Sequence, residues 1–273
     1  MKSMKSMLAI LLFAPLALAE TPDARDIMHC VAENVDRAIA ARASWVYDQD
    51  VFVRLKRGNG KVAREESRQY TVAPTGKGAE RKLVKVAGKI VDGTRVVNYS
   101  EAGFRRKDMD IDGAITDSIA RDILWRRDSL GGMVAYWFPL ESRNLERYEF
   151  RYEGEERYRE YDVFRISFHS RGDGWSGEAL IERNEYEPVL VTSAWLGKVP
   201  AAVQIGLGTN VRQIGAKIAY KRFDKDVWFP VSIGGEMKLR VLFLYARTIA
   251  FSASNSGFKR TDVQSSVEFA GVQ

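Results

Sequence analysis

The sequence predicts a mainly β, α+β fold. It is an antiparallel, unclosed β-barrel (a half-barrel) with an N-terminal helix and a helical lid over its concave face. Three observations point there. Apolar and polar residues alternate with a period of two from Trp45 almost to Phe251. Short turn signals separate the runs, so neighbours in sequence should pair antiparallel. Helical spacing appears only twice, and a sheet this wide must curl or split. The 273 residues, 45% apolar and 29% charged, suffice for a sizeable core in a globular chain.

The chain opens with a targeting signal. Lys2 and Lys5 precede the apolar run Met7 to Leu18, and Ala17-Leu18-Ala19 supplies the small residues of a cleavage site. Residues 1–19 therefore read as a signal peptide and 20–273 as a single domain, of bacterial style and periplasmic or secreted. Removing two lysines from 42 basic residues leaves a mild positive excess over 36 acidic ones. Both signs are interspersed, which excludes a nucleic-acid footprint and leaves room for transient contact with a membrane surface. Cys30 is the only cysteine. It can form no internal disulfide and reads as a small buried hydrophobe.

Thr21-Pro22-Asp23 has the composition of a helix start, with Thr21 as N-cap. Ile27, Val31, Val35 and Ile39 then form one stripe that should pack on a sheet. Val51, Val53 and Leu55 share a strand face before the Gly58-Asn59-Gly60 turn, and "RQYTVAP" and "ERKLVKVAGKIVDG" continue the strands. The pattern breaks at 103–145. Asp112 or a neighbour can cap a helix bearing Ile115, Ile119 and Ile123, and Gly131-Gly132 stops it before the apolar "MVAYWFPLE". This is the candidate lid, with Trp125, Trp137 and Phe138 completing its apolar side.

Strands then resume. Tyr148, Phe150 and Tyr152 alternate with charges before the presumptive turn "EGEER"; Phe164, Ile166 and Phe168 follow. "GEALIERNEYEPVLVTSAW" reads as two strands about a polar turn, with Val189, Val191 and Trp195 on the return. Residues 197–210 read as irregular. Ile214 to Tyr220 and Val227 to Ile233 give two more strands; Gly234-Gly235 reads as a turn. Leu239, Val241 and Phe243 belong to a strand from Met237 to Tyr245, and Ile249 and Phe251 to a last one.

No motif for catalysis, a cofactor or a metal is complete. His29 and His169 lack motif partners. "GWSGE" has Glu178 where a nucleophile elbow needs Gly, and Ser176 reads as a turn residue. "GLGTNV" has Val211 where a dinucleotide loop needs its third Gly and reads as a connection. "DMDIDG" places Asp108, Asp110, Asp112 and Gly113 as in a calcium loop, but Ile119 stands where the bidentate acid belongs. A polar turn capping the next helix is the plainer reading.

The stretch "YDVFRISFHS", "GWSGEALIERNEYEPVLVTSAW", "KIAYKRFDKDVWFPVSIGGEMKL" resembles the LolA/LolB-like superfamily of bacterial outer-membrane lipoprotein-sorting and carrier proteins. The resemblance covers most of the chain in order of elements and about residues 145–235 in motif. It implies an unclosed barrel with an apolar cavity that accepts lipid or lipoprotein acyl chains, without catalysis. Domains of this kind also act, by resemblance, as envelope sensors that bind a partner protein. An enzyme using Asp/Glu pairs ranks last, since no pair is singled out by spacing. The inward residues named above are the candidate cavity lining.

Overall fold

The computed structural model describes residues 22–41, 44–75, 78–123, 140–196, 209–224, 227–241 and 245–261. Eleven strands form one sheet: β1 (Trp45–Arg57), β2 (Val62–Thr75), β3 (Gly78–Asp92), β4 (Arg95–Tyr99), β5 (Tyr148–Tyr158), β6 (Tyr161–Ser170), β7 (Gly174–Glu182), β8 (Pro188–Leu196), β9 (Thr209–Asp224), β10 (Val227–Val241) and β11 (Tyr245–Arg260). Their order is β4-β3-β2-β1-β11-β10-β9-β8-β7-β6-β5, and the neighbours pair antiparallel. Two meanders therefore meet where the first strand pairs with the last. The sheet stays open, with β4 and β5 as its edges, which is the predicted half-barrel.

This order constrains the rest of the chain. It leaves one edge at Tyr99 and enters the opposite edge at Tyr148. The described first part of this connection, residues 100–123, lies against the concave face at β2. Helix α2 (Ile111–Ser118), prolonged by a π-helical turn at Ile119–Ile123, lies on that path, and a 3-10 turn at Ser142–Arg147 leads into β5. The predicted helix over the concave face is present there. Its cap is Asp110, whose Oδ1 accepts the Gly113 N–H at 2.8 Å.

Helix α1 (Ala24–Ala41) covers the apolar part of the same face. Asp23 caps it: its carboxylate accepts the Arg25 N–H at 2.7 Å and its carbonyl that of Ile27 at 3.1 Å. The start lies past the predicted Thr21, where an ionised cap also meets the positive end of the helix dipole. Ile27, Val31 and Val35 are buried as predicted, with Met28 and Ala32 widening the stripe. Cys30 is exposed, contrary to expectation, because it lies on the shoulder opposite Met28 and Ala32.

The polar turn between β7 and β8 anchors α1. Asn34, buried on the helix, donates to the carbonyls of Glu185 and Tyr186 at 2.5 and 3.2 Å. Tyr186 holds a φ of 54°, so its carbonyl is presented by a left-handed residue. Glu182 accepts the N–H groups of Asn184 and Glu185, and Trp228 donates to Glu185 at 2.9 Å. The charges of this polar turn are thus a docking point for a helix and a buried indole.

Five turn or strand-boundary readings differ from expectation. "EGEER" lies inside β5: a register shift beside Gly154 absorbs the glycine, Arg157 pairs with Asp162 at 2.7 Å, and the turn falls at Arg159. Gly234-Gly235 lies inside β10, where a Cβ on Gly235 would stand 2.4 Å from the Gly215 carbonyl and 2.5 Å from the Phe251 ring. That glycine marks close packing, not reversal. Tyr245 opens β11 instead of closing β10. Ser176 is mid-strand in β7, and Thr209–Val211 begin β9. Residues 197–208 lie outside the described residues.

Gly235→Ala is expected to lower stability by about 1–3 kcal/mol, the range for overpacking, because one of the obstructing atoms is backbone. Chemical denaturation followed by tryptophan fluorescence measures it.

Candidate functional site

The sheet register aligns inward residues into rows across the concave face. One row runs Ile166, Ala179, Val191, Ile218, Ile233, Ala253 and Val51, from β6 to β1. Beside it run Phe168, Gly177, Ser193, Ala216, Gly235, Phe251 and Val53. A third holds Ile214, Met237, Ile249 and Leu55. Gly177 and Gly235 leave the second row low, so the face is greasy but not level.

Six of the fifteen predicted lining residues, Val51, Val53, Leu55, Ile166, Phe168 and Val191, lie in these rows. Val51, Val53, Leu55, Phe164, Ile166, Phe168, Val189, Val191 and Leu239 are buried in one core cluster with α1, Ile115 and Ile119. Tyr148, Phe150, Tyr152 and Trp195 are half-buried. Trp195 meets Trp175 edge-on at 5.4 Å, and Tyr152 meets Phe164 at 6.1 Å. Trp125, Trp137, Phe138 and Phe243, and the side chains of Ile123 and Val241, lie outside the described residues. Val53, Leu55, Ile166, Val191 and Ile119 have 0% exposure. In this conformation they form a sealed interior.

At β2 the rows change character. Val51, Val53 and Leu55 stand opposite Arg68, Glu66 and Arg64. All three charged residues are at most 3% exposed. The period-two pattern of "AREESRQYTV" puts these charges on the same parity as the inward Tyr70 and Val72, a signal the sequence reading passed over. Tyr99, lying across Gly88, donates to Glu66 at 2.6 Å and accepts from Arg64 Nε at 2.8 Å. Arg68 Nε donates to the other Glu66 oxygen at 2.6 Å.

The connection between the edges supplies the remaining partners. Arg64 Nη1 reaches Asp110 at 3.0 Å and Nη2 the Phe104 carbonyl at 2.8 Å. Arg68 Nη2 reaches Asp117 at 2.8 Å. Arg247, inward on β11, holds Asp112 through both oxygens at 2.8 and 3.1 Å. Arg81 on β3 donates to the carbonyls of Ala120 and Arg121 at 3.0 and 3.1 Å and stacks on Tyr70. Helix α2 is thus seated by Ile115 and Ile119 on one side and by guanidinium groups on the other.

No protein-family model matches the chain, and no curated protein sequence matches it. A solved "putative outer membrane lipoprotein-sorting protein domain" from Vibrio parahaemolyticus is similar at 11% identity and a TM-score of 0.37, over 90% of this chain and 96% of that one. A DUF1329 family protein from Desulfovibrio piger is similar at 12% identity and a TM-score of 0.36, again over 90% and 96%.

The site's electrostatics follow from burial and pairing. Burial alone would raise the Asp110 carboxyl. The N–H groups of Arg106 and Gly113 and the Arg64 charge outweigh it and hold the group below the usual carboxylate range. Burial, then the Glu66 carboxylate, pushes the Tyr99 phenol up, and burial with Asp112 does the same to Tyr245. Both phenols stay neutral donors. Two of the three aspartates that resemble half a calcium loop are committed, Asp110 to Arg64 and the helix cap and Asp112 to Arg247. Among the described residues no group of three His, Cys, Asp or Glu is arranged to hold a metal. Ser176 and His169 do meet, Oγ to Nδ1 at 2.8 Å, as a cross-strand pair on the exposed face.

Removing one partner of a buried ion pair strands the other. Arg64→Met is expected to cost about 3–5 kcal/mol, read by urea denaturation. Asp110 has a depressed folded pKa, so its stabilisation is fully present above the unfolded value of about 3.9 and is lost as pH falls through the folded value. Amide protection factors over 111–118, taken relative to intrinsic exchange at each pH, should therefore fall in acid below about pH 4, and less steeply in Asp110→Asn.

Proposed function

We propose that the protein is a non-catalytic periplasmic binder of lipid or lipoprotein acyl chains, serving outer-membrane lipoprotein sorting or lipid transport. The observation that carries this reading is the continuous apolar concave face, seven strands wide in each of two rows, whose cover includes the connection between the two sheet edges. The secretion signal and the motif resemblance over about residues 145–235 support it. Among the described residues no helix is long and apolar enough to cross a membrane.

Burying an acyl chain yields about 0.8 kcal/mol per methylene, enough for useful affinity even after a cover has been displaced. The sealed interior then serves reversibility, because the empty protein closes on its own apolar side chains. Ser193 Oγ, in the low row, is buried without a hydrogen-bond partner among the described residues. An acyl carbonyl lying along that row would satisfy it.

The sealed state also favours a second reading, an envelope sensor module that engages a partner protein through its outer surface. The two readings separate cleanly. Delipidated protein should take up a fluorescent fatty acid or lipopeptide, and Ala216→Trp, which fills the low row, should reduce uptake at least about tenfold. No uptake by the wild type, with a single protein recovered stoichiometrically by pull-down, would favour the sensor. Ser176→Ala and His169→Ala should leave uptake unchanged, as non-catalytic residues on the outer face.

A further inference from the structure

The polar end of the concave face has an unusual charge partition. The sheet contributes Arg64 and Arg68 from β2, Arg81 from β3 and Arg247 from β11, against one carboxylate, Glu66. The compensating charges, Asp110, Asp112 and Asp117, all belong to the short segment that follows β4. A core that had only to be stable would not need this arrangement. Well-packed apolar residues at such positions are often neutral or stabilising relative to buried ion pairs.

The contact is also close. Gly113 on α2 lies against Arg64, and a Cβ there would stand 2.7 Å from Nη1. The Asp112–Arg247 pair is a two-point fork, the geometry by which guanidinium recognises carboxylate and phosphate alike.

We propose that Arg64, Arg68 and Arg247 form an anion-binding subsite for the phosphate or carboxylate head of an amphiphile whose chain lies along the apolar rows. The aspartates of the α2 segment occupy this subsite when no ligand is bound. The inference rests on the acyl-binding reading and names the class of ligand. For a chain to enter, the cover must lift, and three carboxylates leave with it. A neutral amphiphile then leaves the three guanidinium groups with Glu66 as their one carboxylate beside an apolar trough. An anionic head restores counter-charge, so it shifts the equilibrium toward the open form and a neutral head does not.

Direct titration of delipidated protein with palmitate, palmitoyl lysophosphatidic acid and neutral monopalmitoyl glycerol, at one ionic strength, tests this. The anionic pair should bind at least about tenfold tighter than the neutral probe, and the stronger of the two identifies the head group. Arg247→Gln should reduce that preference and leave the neutral affinity in place. Asp112→Asn and Asp117→Asn, which weaken the internal occupant, should tighten anionic binding, a gain that a purely structural pair would not produce. Equal affinity for all three probes would overturn the subsite while leaving acyl binding intact. Failure to bind any of them would overturn both.

Discussion

Three guanidinium–carboxylate contacts seat α2 on the concave face, and the closure of the half-barrel's polar end depends on them. Arg64, Arg68 and Arg247 lie on inward positions beside apolar residues, with Glu66 as the one inward carboxylate of β2. Buried there alone, each would carry a desolvation cost of several kcal/mol. The α2 segment supplies acceptors to them from the Phe104 carbonyl and the carboxylates of Asp110, Asp112 and Asp117. Topology makes this segment available, because it follows the edge strand β4 in the chain.

The other end of the face closes by different physics. Helix α1 buries an apolar stripe, and its one buried amide, Asn34, satisfies carbonyls that the β7–β8 turn would otherwise leave bare. Between the two ends, Gly177 and Gly235 keep a low row in which Phe251 lies flush. One sheet thus carries a dry half held by side-chain volume and an ionic half held by pairing. An amphiphile has the same division, a chain and a head, and that match gives the proposed ligand class its physical sense.

The strand faces were legible because a half-buried strand writes its orientation into every second residue. Val51, Val53 and Leu55, or Phe164, Ile166 and Phe168, need nothing beyond that period. Turns were less legible. Gly234-Gly235 has turn composition, yet it lies mid-strand because a ring from β11 needs the space. "EGEER" has turn composition too, but its charges pair across to β6 and to Arg183 on the exposed side of an edge strand. Composition records what a residue tolerates, and the neighbouring strand decides which tolerance is used.

By itself, the sequence determined an antiparallel, one-sided sheet with few helices to cover it, since hydrophobic period and turn spacing are local properties. Only the tertiary structure decided that β1 pairs with β11, that the edges are β4 and β5, and that the segment after β4 lies against the concave face. It alone decided that Arg64 and Arg247 meet "DID" and that Arg68 meets Asp117. Long-range pairing joins residues through space at separations that leave no mark on either stretch, so Arg64 and Asp110, or Arg247 and Asp112, become a site only once the sheet has curled.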